Sequence, residues 1–261
     1  MHVTDYLYHY TSIDILALIL KNHTIRLTPL DRLDDLQERN SADVSNLGRF
    51  VFVSSWTEDE KESIPMWNMY TDPASGVRIR LRKNPFVKHE NGDPSSTKSI
   101  GTFLNIIELL SCGYYCDQAW SGDILKKVDY TDDLSLLEPK VLDVNDKQIS
   151  VNIGRLGQYK SKYWEFQKEW RYILRFVPFD ISNGPEMAAT EFYKTVNDIA
   201  RGTAVSPIDY YDLQIAPECF KEMEITCSPK ITAGNRIVLN ALVEKYNPEM
   251  TVHDSVLLGK L

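Results

Sequence analysis

Glu169 opens a strand-like run that extends to Phe176, and it is the residue of this chain best suited to chemistry. Near the other end of the sequence, the segment Leu7 to Ser12 places His9 between two tyrosines. A carboxylate stabilises the positive charge that develops on a sugar ring during glycosyl transfer. An imidazole can donate a hydrogen bond to a ribose hydroxyl or accept one from it. If the two segments meet, the pattern predicts a cleft for a nucleotide-like ligand.

Three further side chains have types that suit the same cleft. Trp67 and Tyr70 are three residues apart on a predicted helix, so they share one face. Aromatic rings of this kind stack on a heteroaromatic cation such as nicotinamide. Arg171 follows Glu169 by two residues and therefore points to the same side of a strand. There it binds a phosphate group or holds Glu169 ionised.

Each of these residues also has a structural interpretation, which the sequence alone leaves open. His9 equally suits a core histidine bonded to a main-chain carbonyl, and Glu169 with Arg171 suits an ion pair on the protein surface. Trp67 and Tyr70 are typical of core aromatic residues.

The bulk composition argues against several classes of function. The chain has 261 residues, 43% of them hydrophobic and 25% charged, as in ordinary globular proteins. A net charge of −8 argues against a surface that coats nucleic acid. None of the 12 glycines is grouped in either common phosphate-binding loop, which disfavours P-loop NTPases and Rossmann dehydrogenases.

The sequence also bears on location and on metals. No apolar run approaches the roughly 20 residues that a membrane-spanning helix needs. Met1 to Asp5 lacks the basic-then-apolar pattern of a signal peptide, so we expect a cytoplasmic protein without a membrane partner. The four cysteines are expected to be reduced thiols. No metal is expected, because neither pair of cysteines has a histidine nearby.

Hydrophobic periodicity predicts short strands and helices that intermix without βαβ order. Strands are predicted at residues 6–10, 24–28, 50–56, 77–82, 124–130, 169–176, 211–216 and 250–254, and helices at 13–22, 102–110, 152–164, 185–201 and 232–246. This arrangement predicts an α+β fold, with a mainly antiparallel sheet core flanked by helices, in a single domain that spans residues 1–261.

Several segments spread over nearly the whole chain form a recognisable set. They are residues 7–12 (LYHYTS), 24–28 (TIRLT), 52–56 (FVSSW), 66–70 (MWNMY), 76–79 (GVRI), 166–171 (FQKEWR) and 252–257 (VHDSVL). Together they resemble an uncharacterised bacterial family, a domain of unknown function that is loosely associated with abortive infection.

The order of an early histidine, a central aromatic residue and a late glutamate also resembles, more distantly, the ADP-ribosyltransferase superfamily. This resemblance implies a split antiparallel sheet, NAD as the substrate, and His9 and Glu169 as catalytic residues. It implies that Tyr70 or Trp67 stacks on nicotinamide. The residues expected to bind NAD are His9, Tyr10, Thr11, Arg26, Ser54, Trp67, Tyr70 and Arg171.

The expected function is therefore an NAD-using ADP-ribosyltransferase or NAD glycohydrolase, and the family resemblance adds a toxin-like role in bacterial anti-phage defence. The acceptor stays open between protein, nucleic acid and water. A second hypothesis is a non-catalytic module that binds a nucleotide or a partner protein, such as an antitoxin. A third is a metal-dependent nuclease. Its carboxylates would come from a stretch that is expected to form a solvated loop and contains Asp31, Asp34, Asp35 and Glu38.

Overall fold

The structure, a computed structural model, describes residues 5–91, 100–116, 118–144, 149–179, 185–206 and 208–260. Within these ranges the strands are β1 (Tyr6–Ser12), β2 (Thr24–Pro29), β3 (Val51–Thr57), β4 (Gly76–Arg82), β5 (His89–Asn91), β6 (Ile100–Thr102), β7 (Tyr114–Cys116), β8 (Leu125–Lys127), β9 (Asp129–Thr131), β10 (Leu142–Val144), β11 (Ile149–Val151), β12 (Tyr159–Ser161), β13 (Glu169–Pro178), β14 (Tyr211–Gln214), β15 (Glu224–Cys227) and β16 (Thr251–His253). The helices are α1 (Ile13–Asn22), α2 (Ile64–Tyr70), α3 (Ile106–Ser111), α4 (Gln118–Ser121), α5 (Leu134–Leu137), α6 (Pro185–Ala200), α7 (Pro217–Lys221) and α8 (Ala233–Tyr246). Short 3₁₀ turns lie at Leu30–Arg32, Leu47–Phe50 and Lys162–Gln167.

One large sheet organises the described residues. Its strands follow the order β14-β2-β3-β1-β4-β15-β16, and β13 pairs with β3 along the whole length of that strand. The pairs are antiparallel except β15 with β16. Helices flank the sheet, so the predicted α+β class with a mainly antiparallel sheet is confirmed.

Strands β3 and β13 form the centre of the sheet because both of their faces are covered. Side chains alternate along a strand. Phe52 and Tyr172 therefore enter one hydrophobic cluster, while Val53 and Ile173 enter a second cluster on the opposite face. Arg171 lies on the same face as Ile173, two residues nearer to the start of β13. The face of the second cluster therefore changes from apolar to charged at this end of the strand.

The edge of β3 opposite β13 is shared by two strands that separate from each other. Strand β2 pairs at Val53 and Phe52, whereas β1 pairs at the other end, where Tyr8 faces Thr57. Between these contacts lie Ser54, Ser55 and Trp56. The described strand pairs leave this edge of β3 without a partner strand at these three residues. The sheet is consequently split between β1 and β2, and the split exposes main-chain polar groups of β3.

Two helices next to the split begin where their capping residues predict. The Ser12 side chain accepts a hydrogen bond from the Ile15 amide at the start of α1. The Ser63 side chain accepts one from the Met66 amide at the start of α2, whose first turn contains proline. Such caps satisfy amides that have no partner within the helix. No helix in the described ranges has both the length and the apolar character needed to cross a bilayer.

The predicted helix at residues 152–164 is wrong. The segment instead forms a turn, the short strand β12 and the start of a 3₁₀ turn. Gly157 adopts a φ of +80°, which a right-handed helix cannot contain. Arg175 further fixes the turn by donating to the carbonyls of Ile153 and Gly154. Tyr159 lies in β12, whereas Tyr163 and Trp164 lie in the 3₁₀ turn.

Replacing Gly157 with alanine tests whether this turn depends on the left-handed backbone. A Cβ atom would lie 3.3 Å from Leu30 Cδ1 and would strain the positive φ. We expect the free energy of unfolding in urea to fall by about 1–3 kcal/mol. Gly234→Ala is the matched control, because a Cβ near the start of α8 meets none of the described atoms within 4 Å and alanine is the better helix former. Equal stability of the two variants would contradict the account.

Candidate functional site

A cavity of about 380 Å³ opens where β1 and β2 separate. This volume lies within the range of roughly 300–1,000 Å³ that small-molecule sites occupy. Its walls come from β1, β3, β13, α2, the segment that follows β2, and the 3₁₀ turn before β13. His9 and Glu169, which are far apart in the sequence, both line it. The expectation that the two segments meet is confirmed.

Ser55 links the two residues through the uncovered edge of β3. His9 Nδ1 lies 2.8 Å from the Ser55 carbonyl oxygen. Because a carbonyl can only accept, Nδ1 carries the proton and Nε2 is the unprotonated nitrogen. On the other side, a hydrogen bond from the Ser55 side chain to Glu169 helps to lower the pKa of that carboxyl. Burial lowers the pKa of His9, so the ring is neutral at pH 7.

A buried network of charges holds Glu169 in place. Its Oε1 atom accepts from Arg171 Nε at 2.7 Å, and its Oε2 atom accepts from Lys160 Nζ at 3.1 Å. Arg171 in turn donates through Nη2 to Glu38 Oε2 at 2.9 Å and through Nη1 to the Gly157 carbonyl at 3.2 Å. The Arg171 side chain is completely buried. Two carboxylates and two cations therefore balance one another inside the protein, as buried charges require.

The surroundings of Glu169 and Glu38 shift the pKa values of these two carboxyl groups in opposite directions. Burial raises the pKa of Glu169, but Arg171 and Lys160 outweigh it and bring the value down to about 2. Ionised Glu169 therefore stabilises the fold above its ordinary pKa of 4.5, and this contribution is lost as the pH falls toward 2. For Glu38 the balance is reversed, because burial dominates and raises the pKa despite Arg171.

Tyr70 lies at the cavity end of α2 and joins the network through its hydroxyl. Gln167 Nε2 donates to the Tyr70 oxygen, while Gln167 Oε1 accepts from Lys160 Nζ at 2.8 Å. Burial raises the pKa of Tyr70, and the charge of Glu169 raises it further, so the phenol stays protonated. Tyr70 is half-buried and lines the cavity.

The structure brings most of the predicted binding residues to this cavity. Its lining includes His9, Tyr10, Thr11, Arg26, Ser54, Tyr70 and Arg171. The Ser54 hydroxyl accepts from Trp56 Nε1 at 3.0 Å, whereas its neighbour Ser55 contacts both His9 and Glu169. Ser54 therefore lines the cavity as expected, but Ser55 is the serine that connects His9 with Glu169.

Trp67 is the exception, and its expected stacking on nicotinamide is not supported. Its side chain is 3% exposed and does not belong to the cavity lining. The indole packs edge-on against Tyr10, with ring centroids 4.9 Å apart, and its Nε1 donates to Glu62 at 3.0 Å. The three-residue spacing to Tyr70 leaves an angle of about 60° between the two side chains on a helix, which is enough to send one into the core and the other to the cavity.

Two arginines lie on the rim of the cavity, and both are engaged by nearby aspartates. Arg26 forms a two-pronged pair with Asp212, with both N–O distances at 2.9 Å. Arg32 donates through Nη1 to the Asp209 main-chain carbonyl at 3.1 Å and also pairs with its carboxylate. The Arg26 side chain remains 44% exposed, so a phosphate group can compete with Asp212 for it.

Three residues of the cavity lining were not predicted to belong to the site, namely Glu38, Lys160 and Gln167. Glu38 belongs to the acidic stretch that was expected to be a solvated loop, and this is wrong, because the residue is 5% exposed and pairs with Arg171. The Glu169–Arg171 pair is likewise buried and does not lie on the surface. No local pattern marks Glu38, because its partner Arg171 lies 133 residues later in the chain.

The carboxylates do not assemble into a metal site in the described ranges. No group of three or more histidine, cysteine, aspartate or glutamate residues there could hold a metal ion. All four cysteines are free thiols. The nuclease hypothesis therefore gains no support from the acidic stretch, because its one deeply buried carboxylate pairs with an arginine.

Part of this chain matches a protein family whose function is unknown. Residues 66–172 match the model of a family described as "Protein of unknown function (DUF2971)". The match covers less than half of the chain. It includes Tyr70, Glu169 and Arg171 but not His9. No curated protein and no solved structure is similar enough to this chain to give a match.

Replacing Arg171 with methionine tests the charge network. Removing Arg171 leaves Lys160 to balance two buried carboxylates, so the free energy of unfolding should fall by about 3–5 kcal/mol at pH 8. Burial already raises the pKa of Glu38, and without Arg171 this carboxyl group gains a proton on folding, so the loss of stability should be smaller at pH 5. Urea unfolding at the two pH values measures both effects.

Arg82→Met serves as the control, because Arg82 also pairs with a glutamate, Glu222, but the pair is exposed. This variant should unfold much like the unchanged protein at either pH. A similar loss in both variants, or a loss in Arg171→Met that does not depend on pH, would contradict the network.

Proposed function

We propose that the protein uses NAD, either transferring ADP-ribose to an acceptor or hydrolysing the bond between nicotinamide and ribose. The observation that carries the proposal is that His9 and Glu169 line one cavity and are joined through Ser55. Their convergence is what the proposed chemistry requires.

Each wall of the cavity suits one part of this reaction. Breaking the bond at C1′ of the ribose produces a sugar cation, and Glu169 stays ionised to stabilise it because its pKa is about 2. His9 Nε2, as the unprotonated nitrogen, accepts a hydrogen bond from a ribose hydroxyl. The Tyr70 ring is available to stack on nicotinamide.

The phosphate groups of NAD require cations, and the rim supplies them. Arg26 lines the cavity and is partly exposed, whereas Arg171 is completely buried and is occupied by Glu169 and Glu38. Arg26 therefore fits the expected contact with phosphate, and Arg171 fits the role of holding Glu169 ionised. A toxin-like role in bacterial anti-phage defence rests on the family resemblance alone.

A non-catalytic module that binds a nucleotide or a partner protein is the second candidate. Both oxygens of Glu169 are already engaged by Arg171 and Lys160, as in a structural network. A module of this kind would show a higher melting temperature with NAD but would form no product.

Incubation with NAD distinguishes the two functions, with free nicotinamide measured by liquid chromatography. We expect the unchanged protein to release nicotinamide, and Glu169→Gln to reduce the rate by at least about 100-fold, since an amide cannot stabilise the sugar cation. Glu222→Gln, a surface glutamate that also pairs with an arginine, should keep the full rate.

The melting temperatures of the variants separate loss of chemistry from loss of fold. Full turnover by a folded Glu169→Gln variant would refute the catalytic role of Glu169. An unchanged protein that gains stability from NAD without releasing nicotinamide would favour the binding module.

A further inference from the structure

Glu38 has a buried oxygen that the network does not use as a hydrogen-bond acceptor. Its Oε2 atom accepts from Arg171, but Oε1 has no hydrogen bond among the described residues. Although Oε1 lies 2.8 Å from Arg171 Nη1, the contact lacks hydrogen-bond geometry. The side chain is 2% exposed and lines the cavity. A buried carboxylate oxygen of this kind favours a ligand that donates a hydrogen bond.

We infer that Glu38 binds the incoming hydroxyl group, either water or an alcohol of the acceptor, and removes its proton during ADP-ribosyl transfer. The inference rests on the proposed use of NAD and adds the residue that activates the acceptor. In this step the acceptor oxygen forms a bond to C1′ of the ribose. The bond from C1′ to the nicotinamide nitrogen breaks, and its electron pair leaves with neutral nicotinamide. The acceptor proton moves to the Glu38 carboxylate and is later released to solvent.

The other two groups of the site are poorly suited to this role. Both oxygens of Glu169 are engaged by Arg171 and Lys160, and a carboxyl group with a pKa of about 2 is a weak base. Burial disfavours a positive charge on His9, and its Nδ1 atom contacts a neutral carbonyl. Glu38 faces Arg171, Lys160 and Glu169, and burial still raises its pKa above the ordinary range. Two carboxylates in different environments thus divide the work between charge stabilisation and proton transfer.

The test compares water with azide as the attacking group. Azide is an anion and needs no base, so it bypasses a missing proton acceptor. We expect Glu38→Gln to slow nicotinamide release in water by about 100-fold or more, and we expect added azide to restore much of the rate with formation of an ADP-ribosyl azide. Glu169→Gln should not be restored by azide, because the sugar cation still lacks its carboxylate. Glu222→Gln should behave as the unchanged protein in both solutions.

A second variant covers the case in which Glu38→Gln does not fold. Glu38→Asp keeps the charge that pairs with Arg171 but withdraws the carboxylate by one methylene group. Its melting temperature should be close to that of the unchanged protein. It should release nicotinamide slowly in water, and azide should increase the rate.

Each outcome decides the question. The inference is overturned if a folded Glu38→Gln or Glu38→Asp variant hydrolyses NAD at the full rate, or if azide restores neither variant. If the unchanged protein releases no nicotinamide with water or with azide, the proposed function fails, and this inference fails with it. If the unchanged protein turns over NAD and the Glu38 variants do so at the same rate, this inference fails but the proposed function stands.

Discussion

The buried guanidinium of Arg171, held between Glu169 and Glu38, is the interaction on which the rest of the site depends. A completely buried cation is tolerated only when carboxylates and main-chain carbonyls surround it. Arg171 meets this requirement with one glutamate from its own strand, another that lies 133 residues earlier in the chain, and the carbonyl of Gly157. Arg171 therefore ties the segment after β2, which contains Glu38, to the centre of the sheet. It does the same for the turn before β12, which contains Gly157.

The cavity follows from the way the sheet is divided. Strands β1 and β2 leave part of one edge of β3 uncovered, and His9 satisfies one of the exposed carbonyls with its side chain. The charged end of β13 lies beside this split. Polar groups that would otherwise pair within the sheet are thus available at a partly enclosed site, where electrostatic interactions are stronger than in water.

Much of the fold could be predicted from local patterns in the sequence. Alternating apolar residues predict β4, and a serine followed by a proline two residues later is typical of a helix start such as that of α2. The two-residue spacing of Glu169 and Arg171 correctly placed both side chains on one face. These predictions succeed because strand alternation and helix capping depend on neighbouring residues only.

The errors arise where distant residues decide the outcome. Glu38 resembles a solvated residue until Arg171 is brought to it from another part of the chain. Residues 152–164 contain aromatic side chains at helical spacing, but Gly157 and the hydrogen bonds from Arg175 hold them in a turn. The helix that contains Trp67 was predicted correctly, but local spacing does not show which side of it faces the core.

We propose that NAD binds in the split between β1 and β2. A crystal structure of the Glu169→Gln variant grown with NAD would show whether it does. We expect nicotinamide against Tyr70, a ribose hydroxyl within hydrogen-bond distance of His9 Nε2, and a phosphate group near Arg26. A well-ordered NAD molecule bound elsewhere, or a cavity that stays free of NAD at saturating concentration, would contradict it.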